Sequence, residues 1–314
     1  MRVSSMRALA FGMLLTPALA HAQGGRAATP PAGFQRADTA SLHRTLDSLA
    51  AAHHGIAGYT VHNLDTGERL ERRGDETFPT ASLIKVPVLV TVYDLVEKGV
   101  LGLDDPLTVL RIDKVGGAGL LQFMHDNATI TVHDAAWLMT TISDNTATNL
   151  LLDRIIIRRV WDKMEALGLM HTKVHSKSFL RSASVAMDSS VKYGLGVTTP
   201  NEMAHLFALL SDGRAVSARA DSAMLDILAH NEDAQKVQRS VEGLEVPHKT
   251  GDTDQVRTEC GLFPLQSRVV YCVLTKENKD QRYMIDNEAQ VMMGHMGEAL
   301  VHAWPRRRVP RTAP

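Results

Sequence analysis

FPTASLIKVPVL, residues 78–89, decides how this chain is read. Ser82 and Lys85 stand three apart within it. On a helix both side chains share a face, so the amine can reach the hydroxyl it must activate. A lone Ser-x-x-Lys run carries little weight. Here Ser143-Asp144-Asn145 begins 61 residues after Ser82 and Lys249-Thr250-Gly251 begins 167 residues after it, and three such runs in this order describe a serine acyl-transfer site.

Each run brings side chains suited to one step. Ser82 is the nucleophile and Lys85 its base or electrostatic activator, which requires an amine that is desolvated or coupled to nearby charge, because an ordinary lysine is protonated at neutral pH. Pro87 falls in the first helical turn, where a missing amide proton costs little. The Ser143 hydroxyl projects from a loop between two helices and passes a proton to the leaving nitrogen. Asn145 offers both a donor and an acceptor, enough to hold a substrate amide and buttress Lys85. Asp144 reads as structural.

With these runs the chain resembles the class A β-lactamases and the wider penicillin-recognising serine enzymes over roughly residues 38–303, including the flanking segments ISDNTATNLLLDRI and TTPNEMAHLFALL. The resemblance implies a β-lactam or cell-wall peptide substrate, whose carboxylate Lys249 and Thr250 would bind. Gly251 would let the substrate lie flat against the strand, and Arg257 would supply a second cation. The backbone amides of Ser82 and Asp252 would form the oxyanion hole.

The order of periodic segments gives the fold. Ser41–Ala52 has helical spacing, and 56–64 with 68–73 reads as a hairpin turning at Asp65-Thr66-Gly67. A mainly helical stretch follows from Thr80 to about Ala234, with a Thr-x-x-Asp cap at Thr131 and a capping box at Thr199-Pro200-Asn201-Glu202. Strands are expected at 241–249, 257–263 and 268–276, then a helix over 287–303. The fold class is α+β of the β-lactamase/transpeptidase type. Its antiparallel five-stranded sheet is flanked by helices, and a large all-helical insertion leaves the site between the two parts. The α/β part is 38–75 with 238–303, and the helical part is 76–237.

Net charge of -1 over 314 residues offers no electrostatic case for nucleic acid. Residues 1–22 read as a cleaved secretory signal, with Arg2 and Arg7, an apolar Ala8–Leu19 and a small-x-small site at Ala20-His21-Ala22. Residues 23–37 form a leader and 304–314 a basic tail. No later apolar run is long enough for stable membrane insertion, so a periplasmic or secreted monomer is expected. Cys260 and Cys272 flank a hairpin and stand nearly opposite each other. A disulfide and two buried thiols are both compatible with that placement.

The departure from the family lies between Met170 and Pro200. Class A enzymes carry a glutamate there, in an E-x-x-L-N pattern, that activates the water which hydrolyses the acyl-enzyme. This chain has none, and Asp188 is the stretch's only carboxylate. Asp188 and His175 are the candidates for a deacylation base. His171 and His175 have a spacing that would share a helical face, yet no HExxH or HxHxD pattern accompanies them. No metal and no cofactor are assigned. Gly116-Gly117-Ala118-Gly119 lacks the end of a phosphate loop and is read as a flexible rim.

Overall fold

A computed structural model describes Phe34 and residues 36–304. The signal segment, most of the leader and the basic tail beyond Trp304 lie outside the described residues. In chain order the elements are α1 (Thr39–Ala52), β1 (Ile56–Asn63), β2 (Arg69–Arg72), β3 (Phe78–Pro79), a 3-10 turn (Ala81–Ile84) leading into α2 (Lys85–Glu97), β4 (Pro106–Val109) and β5 (Ala128–Thr131). Then come α3 (Val132–Thr141), α4 (Asn145–Ile155), α5 (Ile157–Ala166), β6 (Lys173–Val174), α6 (Met187–Tyr193), β7 (Gly196–Thr198), α7 (Pro200–Ser211) and α8 (Ala218–Ala229). The chain closes with β8 (His248–Thr253), β9 (Val256–Pro264), β10 (Arg268–Lys276) and α9 (Glu288–Ala303).

The main sheet has five strands in the order β2-β1-β10-β9-β8, and all four pairings are antiparallel. Both faces are covered, as alternation along β10 makes plain. Val270, Cys272 and Leu274 face the core shared with the helical block. Val269, Tyr271 and Val273 face a second core with α1 and α9. A strand's two-residue period thus divides one apolar run between two cores. Cys260 and Cys272 are register partners and form a disulfide on the helical-block side.

The helical part is not all-helical: it holds five short strands, β3 to β7. Their pairings are local, β3 with β7 with β6 and β4 with β5, so they buttress helix connections. At its centre α2 is buried on every side from Lys85 to Leu95, as expected of a helix with no polar face. The expected strand at 241–249 begins only at His248. Gly243 takes a left-handed conformation (φ 70°) and Pro247 lacks an amide proton, so the preceding stretch turns instead, anchored by Val241 and Val246 in the second core. No helix among the described residues is long and apolar enough to cross a membrane.

Helix α9 packs tightly over residues 236–239, where a Cβ on Gly297 would run into the carbonyl oxygen of Val237. Alanine gains about 1 kcal/mol of helix propensity over glycine, while overpacking against backbone costs about 1–3 kcal/mol. A backbone oxygen cannot move aside easily, so the cost lies toward the upper end and Gly297→Ala should lower stability by up to about 2 kcal/mol, read as a lower urea midpoint. A stabilised variant would show that α9 shifts freely on the sheet.

Candidate active site

Ser82 lies in the 3-10 turn and Lys85 opens α2. With three residues per turn, side chains three apart eclipse, so the two are stacked by local geometry. Lys85 has no exposed surface. Its Nζ donates to the carbonyl oxygen of Ser143 (2.6 Å) and to Oδ1 of Asn145 (2.9 Å), and lies 3.0 Å from Ser143 Oγ. Burial pushes its pKa well below the usual lysine value, repulsion from Lys249 adds to the fall, and Asp144 only partly opposes it. A neutral amine has two hydrogens and one lone pair. The two carbonyl oxygens can only accept, so they take the hydrogens and leave the lone pair for a hydroxyl.

The Ser143 corner is held from several sides. Asp144 caps α4 through Ala147 N (2.9 Å) and accepts the amides of Leu120 (2.6 Å) and Leu121 (2.9 Å). Asn145 donates its amide to Ala118 O (3.1 Å) and Nδ2 to Gly116 O (3.1 Å). The glycine-rich rim is thus tied to the Ser143-Asp144-Asn145 run, contrary to the flexible rim expected from its composition. Ser143 takes a left-handed backbone (φ 59°), as do Ala81, Phe179 and Glu277. All four line the cleft. Such conformations cost non-glycine residues free energy and concentrate at functional sites.

Strand β8 supplies the opposite wall. Lys249 is buried with its Nζ 3.1 Å from Thr250 O. Burial lowers its pKa to about 8, Asp233 pulling it back up and Lys236 pushing it further down. Gly251 has a different reason from the one its sequence suggests. A Cβ there would sit 2.6 Å from Thr80 O and 2.7 Å from Ser82 N, so the missing side chain is what lets β8 press against the nucleophile turn. That approach brings the Ser82 and Asp252 segments to one place.

Beside β8 lies an ionic cluster with no signature in the sequence, its cations buried and its carboxylates half-buried in the cleft wall. Lys236 Nζ contacts Asp233 Oδ2 (2.6 Å) and Asp252 Oδ2 (3.1 Å), and Arg257 Nε lies 3.4 Å from Asp252 Oδ1. The two carboxylates hold Lys236 charged despite its burial. Arg257 does not offer a second cation to substrate. Its guanidinium is fully buried and donates to the carbonyls of Thr253, Val256 and Arg282, and it is absent from the cleft walls. It secures the β8–β9 turn.

Two adjoining cavities of about 560 and 610 Å³ share Ser82, Asn145, Phe179 and Asp252. The second brings in Ser143, Lys249, Thr250 and Gly251. Neither proposed deacylation base is in the walls. Asp188 is exposed on the first turn of α6, and His175 is buried with Nδ1 3.3 Å from Gly194 O. Strand β6 separates His171 from His175, so they share no helical face, and His171 instead pairs with Glu202 (2.7 Å). Among the described residues no cluster of three metal-ligating side chains occurs. The segment between Met170 and Pro200 contributes Lys192 to Leu195 to the walls and, from the turn at 177–180, Ser178 and Phe179. Asn149, four residues after Asn145 on α4, holds that turn.

Residues 41–304 match the model of the beta-lactamase enzyme family. The chain belongs to that family. A crystal structure of a beta-lactamase from Sphaerobacter thermophilus is similar at 28% identity and a TM-score of 0.75, over 85% of this chain and 97% of that one. A leucine-to-glutamate mutant of PBP-A, in acyl-enzyme complex with penicillin G, is similar at 26% identity and a TM-score of 0.74, over 84% and 96%. Beta-lactamase L2 of Stenotrophomonas maltophilia is 33% identical over 140 residues, 44% of each chain. The chain spans less than half the length of the curated relatives it matches.

The Lys249 ammonium is charged below about 8 and neutral above it. Capture of a carboxylate should follow, with kcat/KM for an anionic substrate falling as pH rises through about 8. Lys249→Arg, charged throughout, should remove that fall. Its persistence in the variant would place the titrating group elsewhere.

Proposed function

We propose that this protein is an exported serine hydrolase of the β-lactamase type, opening a β-lactam amide through an ester on Ser82. The observation that carries the reading is the buried Lys85 amine, bonded to Ser143 and Asn145 beside the nucleophile turn and near enough to Lys249 for the two charges to repel. Ser82 Oγ attacks the lactam carbonyl carbon and its proton passes to Lys85 Nζ. The oxyanion is held by the amides of Ser82 and Asp252. Collapse breaks the carbon–nitrogen bond. The 3.0 Å contact between Lys85 Nζ and Ser143 Oγ supports relay of the proton through Ser143 to the departing nitrogen. Lys249 and Thr250 receive the substrate carboxylate. Export rests on residues 1–22.

A second reading shares every acylation step and differs in the fate of the Ser82 ester. The residues of 170–200 that line the cleft are Ser178, Phe179, Lys192, Tyr193, Gly194 and Leu195, none of them a carboxylate. That favours slow release of the acyl group, as in a penicillin-binding or sensing protein. The same nucleophile also suits a D-Ala-D-Ala carboxypeptidase or an esterase.

Intact-mass spectrometry with benzylpenicillin separates these outcomes. The wild type should show an adduct on Ser82 that forms quickly and decays slowly, and Ser82→Ala should lose labelling at least ~10,000-fold. An adduct mapped to another residue would sink the assignment. Absence of any adduct would point to a different acyl donor.

A further inference from the structure

Buried polar atoms demand partners, and an unpaired hydroxyl costs about 1–3 kcal/mol. Among the described residues, two cleft-lining side chains bury a polar atom without a hydrogen bond: Asp252 through Oδ1 and Ser178 through Oγ. The Asp252 oxygen has the Arg257 guanidinium 3.4 Å away. Ser178 Oγ has no such charge partner, although the residue is only 4% exposed.

This serine is held with unusual firmness. Leu180 N donates to Lys177 O (3.2 Å), closing a tight turn with Phe179 in the left-handed conformation (φ 56°). Asn149 grips the backbone of Ser178 on both sides, donating Nδ2 to its carbonyl (3.1 Å) and accepting its amide at Oδ1 (2.8 Å). Lys177 pairs with Asp153 on the next turn of α4. Asn145, Asn149 and Asp153 form one stripe of that helix, and Asn145 is also a ligand of Lys85. The orphan hydroxyl and the Lys85 site are therefore fixed to the same helix face, around the cavity that contains Ser82.

We propose that Ser178 Oγ positions the water that hydrolyses the Ser82 ester, an inference that rests on the acyl-enzyme reading above. The water oxygen bonds to the acyl carbon while one of its protons passes to the neutral Lys85 amine. The ester C–O bond breaks, and the ammonium returns the proton to Ser82 Oγ. Ser178 holds the water through a hydrogen bond and exchanges no proton. It is a positioning residue, which explains how turnover proceeds, though slowly, without a carboxylate from this segment.

The test tracks a benzylpenicillin adduct by intact mass after excess drug is removed. Loss of one neutral hydrogen bond to the water should lengthen the adduct lifetime about 3- to 10-fold in Ser178→Ala. The acylation burst should be unchanged and the thermal midpoint should not fall, since the clamp by Asn149 uses only backbone atoms of Ser178 and alanine removes an unpaired hydroxyl. Ser178→Thr, which keeps the hydroxyl, should restore the wild-type lifetime. An unchanged lifetime in Ser178→Ala would overturn the proposal. So would equal losses in burst and decay, or a lowered midpoint, which assign Ser178 to the scaffold. A wild type that forms no adduct would instead point to a different acyl donor and remove the benzylpenicillin ester on which this proposal rests.

Discussion

A lysine amine without water is the constraint around which this molecule is arranged. Lys85 is useful as a base only while neutral, and burial supplies that condition by penalising the ammonium. A buried amine in turn needs acceptors, and these come from Ser143 and Asn145, which belong to a different corner of the helical block. Holding Ser143 there takes a left-handed backbone, and that strain persists because Asp144 caps α4 and ties down the rim at Leu120 and Leu121. The apolar character of α2 on all sides is therefore a chemical requirement as well as a packing one.

Charge around the cleft is balanced in a similar way. Lys249, Lys236 and Arg257 all lie buried in or beside β8, an arrangement that repulsion would make untenable alone. Asp233 and Asp252 neutralise Lys236 and Arg257, leaving Lys249 with a partly satisfied environment that the carboxylate of the proposed substrate would complete. Desolvation sets the pKa of Lys249 and that of Lys85 in the same direction. Their proposed functions nevertheless need opposite protonation states, which the opposing carboxylates at Lys249 and the deeper isolation of Lys85 favour.

Much of this is legible in the sequence because its causes are local. The spacing of Ser82 and Lys85, the caps at Thr131 and Thr199, and the apolar run within 268–276 each depend on residues within one element. The site residues from three distant runs are recognisable because the runs, each weak alone, occur together in one order. Arg257 is misread from sequence since nothing in its neighbourhood reveals that three carbonyls converge on it. Lys236 and Ser178 escape notice for the same reason. Their roles arise from contacts across the fold, with Asp252 in one case and Asn149 in the other. Asp188 and His175 stand out only by elimination along a segment, and the segment's turn at 177–180 presents other residues to the cleft.

The order of the sheet also bears on how the chain avoids its own kind. Strand β8 ends the sheet and has a partner only on its β9 side. A bare strand of this sort is a template on which other chains add and aggregate. Here the nucleophile turn is pressed against it, with Ser82 N within 2.7 Å of where a Gly251 Cβ would stand. The turn that carries Ser82 thereby also shields this edge from other chains, and variants that draw it away from β8 should lose colloidal stability.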